Sequence, residues 1–159
     1  MGKRVHLRPP RRKDEQAFIA QARASRPLHS GWVQPPETSA AFAAYVARYG
    51  TAAAEPRQAG FLVVRNDDGA LAGVVNFSEI VRGAFQSAFL GYFAFTPMAG
   101  TGLMAEGLAA ALDIAFRQLK LHRVEVNIQP NNARSLALAT RLGFTREGFS
   151  RRYVKIGGR

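Results

Sequence analysis

Apolar and polar positions along the 159-residue chain change period several times, and each change marks an element. Val5-His-Leu-Arg8 alternates and predicts an opening strand that Pro9-Pro10 stops. Apolar residues then recur at helical spacing over 13–24, with Ala17, Phe18 and Ala22 on one face, and over 37–49, with Phe42, Tyr45, Val46 and Tyr49. Between these helices, Ser25 to Pro36 holds Pro27, Gly31, Pro35 and Pro36 around the only tryptophan, Trp32, and predicts a loop. Gly50 to Gln58 predicts a second loop.

From Phe61 the period shortens to two. Phe61–Arg65 and Ala70–Phe77 read as strands joined by a hairpin turn at Asn66-Asp-Asp-Gly69. Ser87–Phe95, "SAFLGYFAF", reads as a third, well-buried strand. A helix from Leu103 to about Lys120 follows, with Met104, Leu108, Ala111, Leu112, Ala115 and Leu119 along one stripe. Arg123–Ile128 alternates strictly and is a strand; Ala133 to about Leu142 is a shorter helix closed by Gly143. Phe144–Thr145 and Tyr153–Ile156 supply two last strand pieces. The order β-α-α-β-β-β-α-β-α-β predicts an α/β fold with a mixed sheet and no internal repeat.

At this length a single domain over residues 1–159 is expected, burying roughly 70% of its unfolded surface. No apolar run approaches the roughly 20 residues that span a membrane, and the first residues lack the apolar core of a secretory signal, so the cytoplasm is the expected compartment. The absence of cysteine excludes disulfides, thiolate metal sites and a cysteine nucleophile; His6, His29 and His122 are scattered, so no metal site is expected. A formal charge of +11 points to partners rich in phosphate, or equally to a solvated basic surface. The basic residues concentrate in 3–13 and 141–159.

Charge directs attention to Met98–Gly107, "MAGTGLMAEG", where two glycines stand one residue apart before a long helix. A glycine-rich turn into a helix leaves the first-turn N–H groups unpaired, and with the positive end of the helix dipole they form an anion site, to which Thr101 adds a hydroxyl. A tight strand-to-helix turn also needs glycine simply to turn. A Walker A loop requires Gly-Lys-Ser/Thr, but Gly102 is followed by Leu103-Met104. A Rossmann fingerprint requires the loop to follow the first strand and an acidic residue to end the next, where Gln129-Pro-Asn-Asn stands instead.

Further along, Asn127–Phe144 reads "NIQPNNARSLALATRLGF": a strand end, then Asn132 and Ser135, then a helix ending Leu-Gly-Phe. Together with the Gly-x-Gly loop this resembles the GNAT superfamily of acetyl-CoA-dependent N-acetyltransferases. Gly73–Phe85 and Leu90-Gly-Tyr92 narrow the likeness to the RimJ/RimL branch, closest to its RimJ members, which acetylate the N-terminal alanine of a small-subunit ribosomal protein. The resemblance covers about residues 5–159. It departs in having Ala99 where the superfamily has Gln or Arg before the first glycine, and Met104 where Gly or Ala is usual. The family also continues with a Trp and an Asp into a final strand; the resemblance implies that either the sequence is cut short or that strand is missing from one sheet edge here.

The resemblance implies a central, mostly antiparallel mixed sheet flanked by helices and acetyl-CoA as cofactor. The backbone of Phe93 or Ala94 would face the thioester oxygen, and Gly100, Thr101, Gly102, Leu103 and Met104 would hold the CoA pyrophosphate. Asn132 would hold pantetheine or order its own turn, and Ser135 would protonate the departing thiolate; both residue types also serve as helix caps. For the general base the resemblance leaves Glu79, just past a strand, and Glu106, which the helix dipole also favours, with a water relay as the alternative. Arg82 is a candidate for acceptor recognition and Trp32 and Tyr45 for acceptor-side walls. The implied acceptor is a protein N-terminal amine, on a ribosomal protein in the RimJ case; small amines and an RNA- or ribosome-binding accessory role are the alternatives. The basic surface allows proximity to a ribosome without direct nucleic-acid recognition, no membrane is involved, and the chain is expected to be a monomer or homodimer.

Overall fold

The computed structural model describes residues 3–50, 56–156 and 158; residues 51–55 of the predicted Gly50–Gln58 loop lie outside the described residues. The elements are β1 (Val5–Arg8), α1 (Glu15–Ala24), α2 (Arg26–His29), α3 (Ser39–Tyr49), β2 (Ala59–Arg65), β3 (Leu71–Val81), β4 (Ser87–Ala94), α4 (Leu103–Asp113), β5 (Arg123–Val126) and α5 (Ala133–Arg141). The strands form one sheet in the order β1-β2-β3-β4-β5. The first three pairings are antiparallel and β4–β5 is parallel. A parallel neighbour needs a crossover, and α4 provides it.

The sheet is buried on both faces, which explains the nearly unbroken apolar runs of β2 and β3. Val63, Val75 and Phe77 point to the side covered by α4, where Leu108 and Ala111 meet them. Leu62, Val64 and Val74 point to the other side and pack with Phe18 of α1, Phe42 of α3 and Phe95. Burying each such side chain contributes about 1.5–3 kcal/mol. At the entrance to α1, Arg8 donates from both Nη atoms to the buried Asp14 carboxylate, each at 2.8 Å, and the Arg11 N–H adds a third bond at 2.8 Å. Burial pushes the Asp14 carboxyl up, but these bonds outweigh it and the group titrates below its usual value.

Several expectations are corrected. The Pro-rich segment after α1 contains a short helix, α2, because Pro27 sits in a first turn where its missing N–H costs nothing. The long helix leaves α-geometry at Asp113 and finishes as a π-turn over Ile114–Gln118; Lys120, at φ +57°, stops it. Arg82 caps that end, donating from Nη1 to the Leu119 carbonyl at 2.6 Å and to Gln86 Oε1 at 3.1 Å. β5 ends at Val126 rather than Ile128, and Glu79 lies within β3, at a bulge and at φ +48°, rather than just past a strand.

Neither Phe144–Thr145 nor Tyr153–Ile156 forms a strand. Phe144 packs onto the core and Glu147 is ion-paired to Arg123 of β5, but Tyr153 and Val154 are 48% and 60% exposed. A segment that buries neither face has nothing to hold it in a ladder. Among the described residues β5 is therefore one edge of the sheet, β1 being the other.

Candidate active site

β4 and β5 pair from Ser87↔Arg123 to Leu90↔Val126 and then part, while β4 runs on to Ala94. The directions of the β4 backbone groups beyond the split follow from one bond: Phe95 donates its N–H to the Ala72 carbonyl of the β3 side at 2.9 Å. Peptide groups of alternate residues face opposite edges, so Phe93 faces β3 while Tyr92 and Ala94 face the gap. Of the two amides expected near the thioester, only that of Ala94 turns to the opening. The Ala94 carbonyl is not left bare: His29 of α2 places Nε2 2.7 Å from it. A carbonyl only accepts, so Nε2 carries the proton, and Nδ1 is buried without a partner among the described residues. The His29 ring stands edge-on to Phe93 at 5.1 Å.

At the mouth of the gap lies the glycine loop. Gly100 and Gly102 have φ of +75° and +84°, the left-handed region that a side chain disfavours. Gly102 caps α4, and its carbonyl accepts from Glu106 N–H at 3.2 Å, which leaves the N–H groups of Leu103, Met104 and Ala105 without helical partners. The Thr101 hydroxyl is used elsewhere, donating to the Met98 carbonyl at 2.6 Å, and the Leu103 and Met104 side chains are buried. The loop therefore presents backbone.

Cationic side chains flank it. Arg4 donates from Nη1 to the Thr101 carbonyl at 3.2 Å, and Glu106 receives Arg4 Nε at 2.5 Å and Arg4 N–H at 3.1 Å. Those bonds hold the Glu106 carboxyl below its usual range and commit it to bracing the loop. On the other side, Arg134 of α5 brings Nη2 to 3.8 Å from where a Cβ on Gly100 would stand.

The second wall is the start of α5. Asn132 caps the helix, its Oδ1 accepting from Ser135 N–H at 3.3 Å. Ser135 Oγ lies 2.6 Å from the Tyr92 hydroxyl, which also reaches the Ser135 carbonyl at 3.2 Å. Burial raises the Tyr92 phenol above its usual pKa, against the lowering effect of the Ser135 bond, so it is protonated at neutral pH. β4, the glycine loop, α5 and the α2 segment enclose a cleft of about 680 Å³. Trp32 lines it, and a bond of 2.9 Å from Gln129 Nε2 to the Gly31 carbonyl closes the α2 side onto the end of β5.

The structure thus brings Phe93, Ala94, Gly100, Gly102, Met104, Asn132 and Ser135 to one cleft. It does not bring Glu79 there. β3 pairs Ser78 with Phe89, five residues from Ala94, so Glu79 sits roughly 16 Å along the sheet. Arg82 is spent on the π-turn, and Tyr45 is a buried core side chain donating to Asn76 Oδ1 at 3.1 Å. Among the described residues no carboxylate lines the cleft, whereas Arg134 and Arg141 do. Sequence reasoning missed His29, in a segment without periodicity, and Tyr92 as the partner of Ser135. Arg134 stood beside Ser135 in the motif but carried no signal of its own.

Residues 4–145 match a family model described as an acetyltransferase (GNAT) domain. The chain is 42% identical over 92 residues to ribosomal protein uS5–alanine N-acetyltransferase of Escherichia coli, covering 58% of this chain and 47% of that protein. It spans about half the length of the curated relatives it matches. Among solved structures, Mycobacterium smegmatis RimJ in complex with CoA-disulfide superposes with a TM-score of 0.87 at 27% identity, over 97% of this chain and 76% of that one. The spermidine N-acetyltransferase of Vibrio cholerae, in complex with CoA and spermine, shares the fold with a TM-score of 0.81 at 24% identity, over 99% of this chain and 90% of that one.

Proposed function

The chain belongs to the GNAT acetyltransferase family, and from that premise we propose that it transfers the acetyl group of acetyl-CoA to the α-amine at a protein N-terminus, with an alanine-initiated ribosomal protein as the substrate class. The Escherichia coli relative named for ribosomal-protein alanine acetylation supports this acceptor. The observation that carries the chemistry is the split between β4 and β5, which turns the Ala94 amide, unpaired among the described residues, to a cleft shared with a backbone-lined anion loop and the Ser135 hydroxyl.

These residues suit CoA. Amides of Leu103 to Ala105 and the Arg134 guanidinium match a diphosphate, which needs donors and positive charge but no base-specific contact. Tyr92 and Ala94 offer backbone groups to an extended arm carrying amides. When bound, acetyl-CoA supplies the acetyl group as a thioester. The Ala94 N–H is placed to stabilise negative charge on the carbonyl oxygen, and Ser135 to protonate the leaving sulfur.

The lining supports this acceptor. An α-amine has a pKa near 8, so an appreciable fraction is neutral at pH 7 and ordered water suffices to take its proton. A polyamine requires carboxylates to hold its second charge, and among the described residues this cleft carries Arg134 and Arg141 instead. The basic surface suits approach to a ribosome, the cytoplasm suits the substrate, and either a monomer or a homodimer serves the chemistry. Among the described residues no helix is long and apolar enough to cross a membrane. Calorimetry with acetyl-CoA should give heat at micromolar protein, and peptides beginning with Ala should be acetylated faster than those beginning with Ser or Met. No heat overturns the enzyme reading, and faster turnover of spermidine than of the Ala peptide overturns the acceptor.

A further inference from the structure

We propose that Tyr92 is the proton source behind Ser135: a two-hydroxyl relay in which the β4 phenol hands its proton to the α5 hydroxyl as that hydroxyl protonates the departing thiolate. The inference rests on the acetyl-CoA reading of the cleft and adds to it a residue that Ser135 needs.

Three observations carry it. The Tyr92–Ser135 contact of 2.6 Å is short for two neutral hydroxyls, and it joins the two walls of the cleft across the split in the sheet. The Ser135 amide is already committed to the Asn132 cap, which fixes the first turn of α5 and with it the serine's position. Tyr92 has a second, longer acceptor in the Ser135 carbonyl at 3.2 Å, so its proton has two resting places. With the proton on the carbonyl, Ser135 can donate to Tyr92. With the proton on Oγ, the Ser135 proton is released to point into the cleft.

An alcohol alone is a poor acid toward a thiolate, because it would be left as an alkoxide. Here the C–S bond breaks, sulfur takes the Ser135 proton, and Ser135 Oγ takes the Tyr92 proton. The charge then rests on a phenolate, far more stable than an alkoxide. The nitrogen that forms the new amide releases one proton to water, and water returns one to Tyr92, so the balance closes.

The test reads the thiol of bound CoA directly. Free CoA is titrated on the wild-type protein, on Tyr92→Phe and on Ser135→Ala, following thiolate ultraviolet absorbance against protein alone. The relay stabilises the bound thiolate, so each variant should lower its acid dissociation constant about tenfold, and the double variant should be no worse than Ser135→Ala alone. The acetylation kcat on an Ala peptide should fall about 10–100-fold in Tyr92→Phe, with KM for acetyl-CoA changed less than about threefold. An unchanged thiol in either single variant, or additive losses in the double variant, overturns the relay. If Tyr92→Phe does not fold, 3-fluorotyrosine labelling decides: the more acidic phenol should raise the acid dissociation constant of the bound thiol in the wild-type sequence but not in Ser135→Ala, and no difference between the two overturns the relay. Failure of the wild type to bind CoA instead overturns the cofactor reading beneath it.

Discussion

His29 is the sharpest test of how the split in the sheet is held open. Its Nε2–H supplies the Ala94 carbonyl with the partner that β5 would otherwise provide, at 2.7 Å and in a buried setting. Replacing His29 by Phe keeps a ring against Phe93 and removes the donor, leaving a half-buried carbonyl unpaired at a cost of about 1–2 kcal/mol. Replacing it by Gln places an amide N–H near the Nε2 position, retaining the bond while giving up edge-on ring packing of about 0.5–1.5 kcal/mol. Taking about 2 kcal/mol for Phe, and about 2–4 °C per kcal/mol in a chain of this size, Tm should fall about 4–8 °C, with a smaller fall for Gln. Urea unfolding checks the free energies, and kcat on an Ala peptide checks the site, because a slack β4 end misplaces the Ala94 amide. Equal stability of His29→Phe and wild type would refute the reasoning, as would Gln proving the worse of the two.

Gly102→Val should cost about 1–2 kcal/mol in backbone strain at φ +84° and crowd Arg4 Nη2, 3.1 Å from the added Cβ; calorimetry should show acetyl-CoA affinity falling at least tenfold. Arg134→Ala should weaken acetyl-CoA several-fold and flatten the dependence of its Kd on salt, while leaving Tm within about 1 °C; an unchanged salt slope argues that Arg134 does not meet phosphate. Asp14→Asn should cost about 3 kcal/mol by stripping a buried charge partner from Arg8. Because the folded Asp14 carboxyl titrates below its ordinary value of 3.8, its contribution is complete above that pH and lost as pH falls through the folded value. Acid unfolding of Asp14→Asn should therefore be flatter than wild type below about pH 4, and parallel curves would remove Asp14 from the acid limb.

The parts of the molecule that the sequence made legible are those where one periodicity governs one buried face. The stripe from Met104 to Ala115 and the alternation of Leu62 and Val63 translate directly into the two cores. The glycine loop and Asn132–Ser135 were legible by their order along the chain. Legibility ended where a role depends on contact between distant segments. Tyr92 and Ser135 are 43 residues apart and His29 and Ala94 are 65 apart, and neither pair has a local signature. Glu79 was misplaced because β3 runs four residues past the predicted Phe77, through a bulge that no apolar alternation announces. The last strand pieces failed because two short apolar runs, at Phe144 and Tyr153, imitate strands without a neighbour to pair with.

The parting of β4 and β5 also gives the protein a chemical clock. Amide protons locked in ladders exchange with water only when the sheet opens, but the Ala94 amide faces a gap and has no strand across from it. It should exchange quickly in the free protein and slow when an extended ligand fills the gap, while Phe93, one residue away and turned to β3, stays slow in both states. Two adjacent amides on one strand then report occupancy as a ratio. Because a ligand held only by the folded form raises stability by RT ln(1 + [L]/Kd), the rest of the sheet should exchange more slowly in step with that ratio.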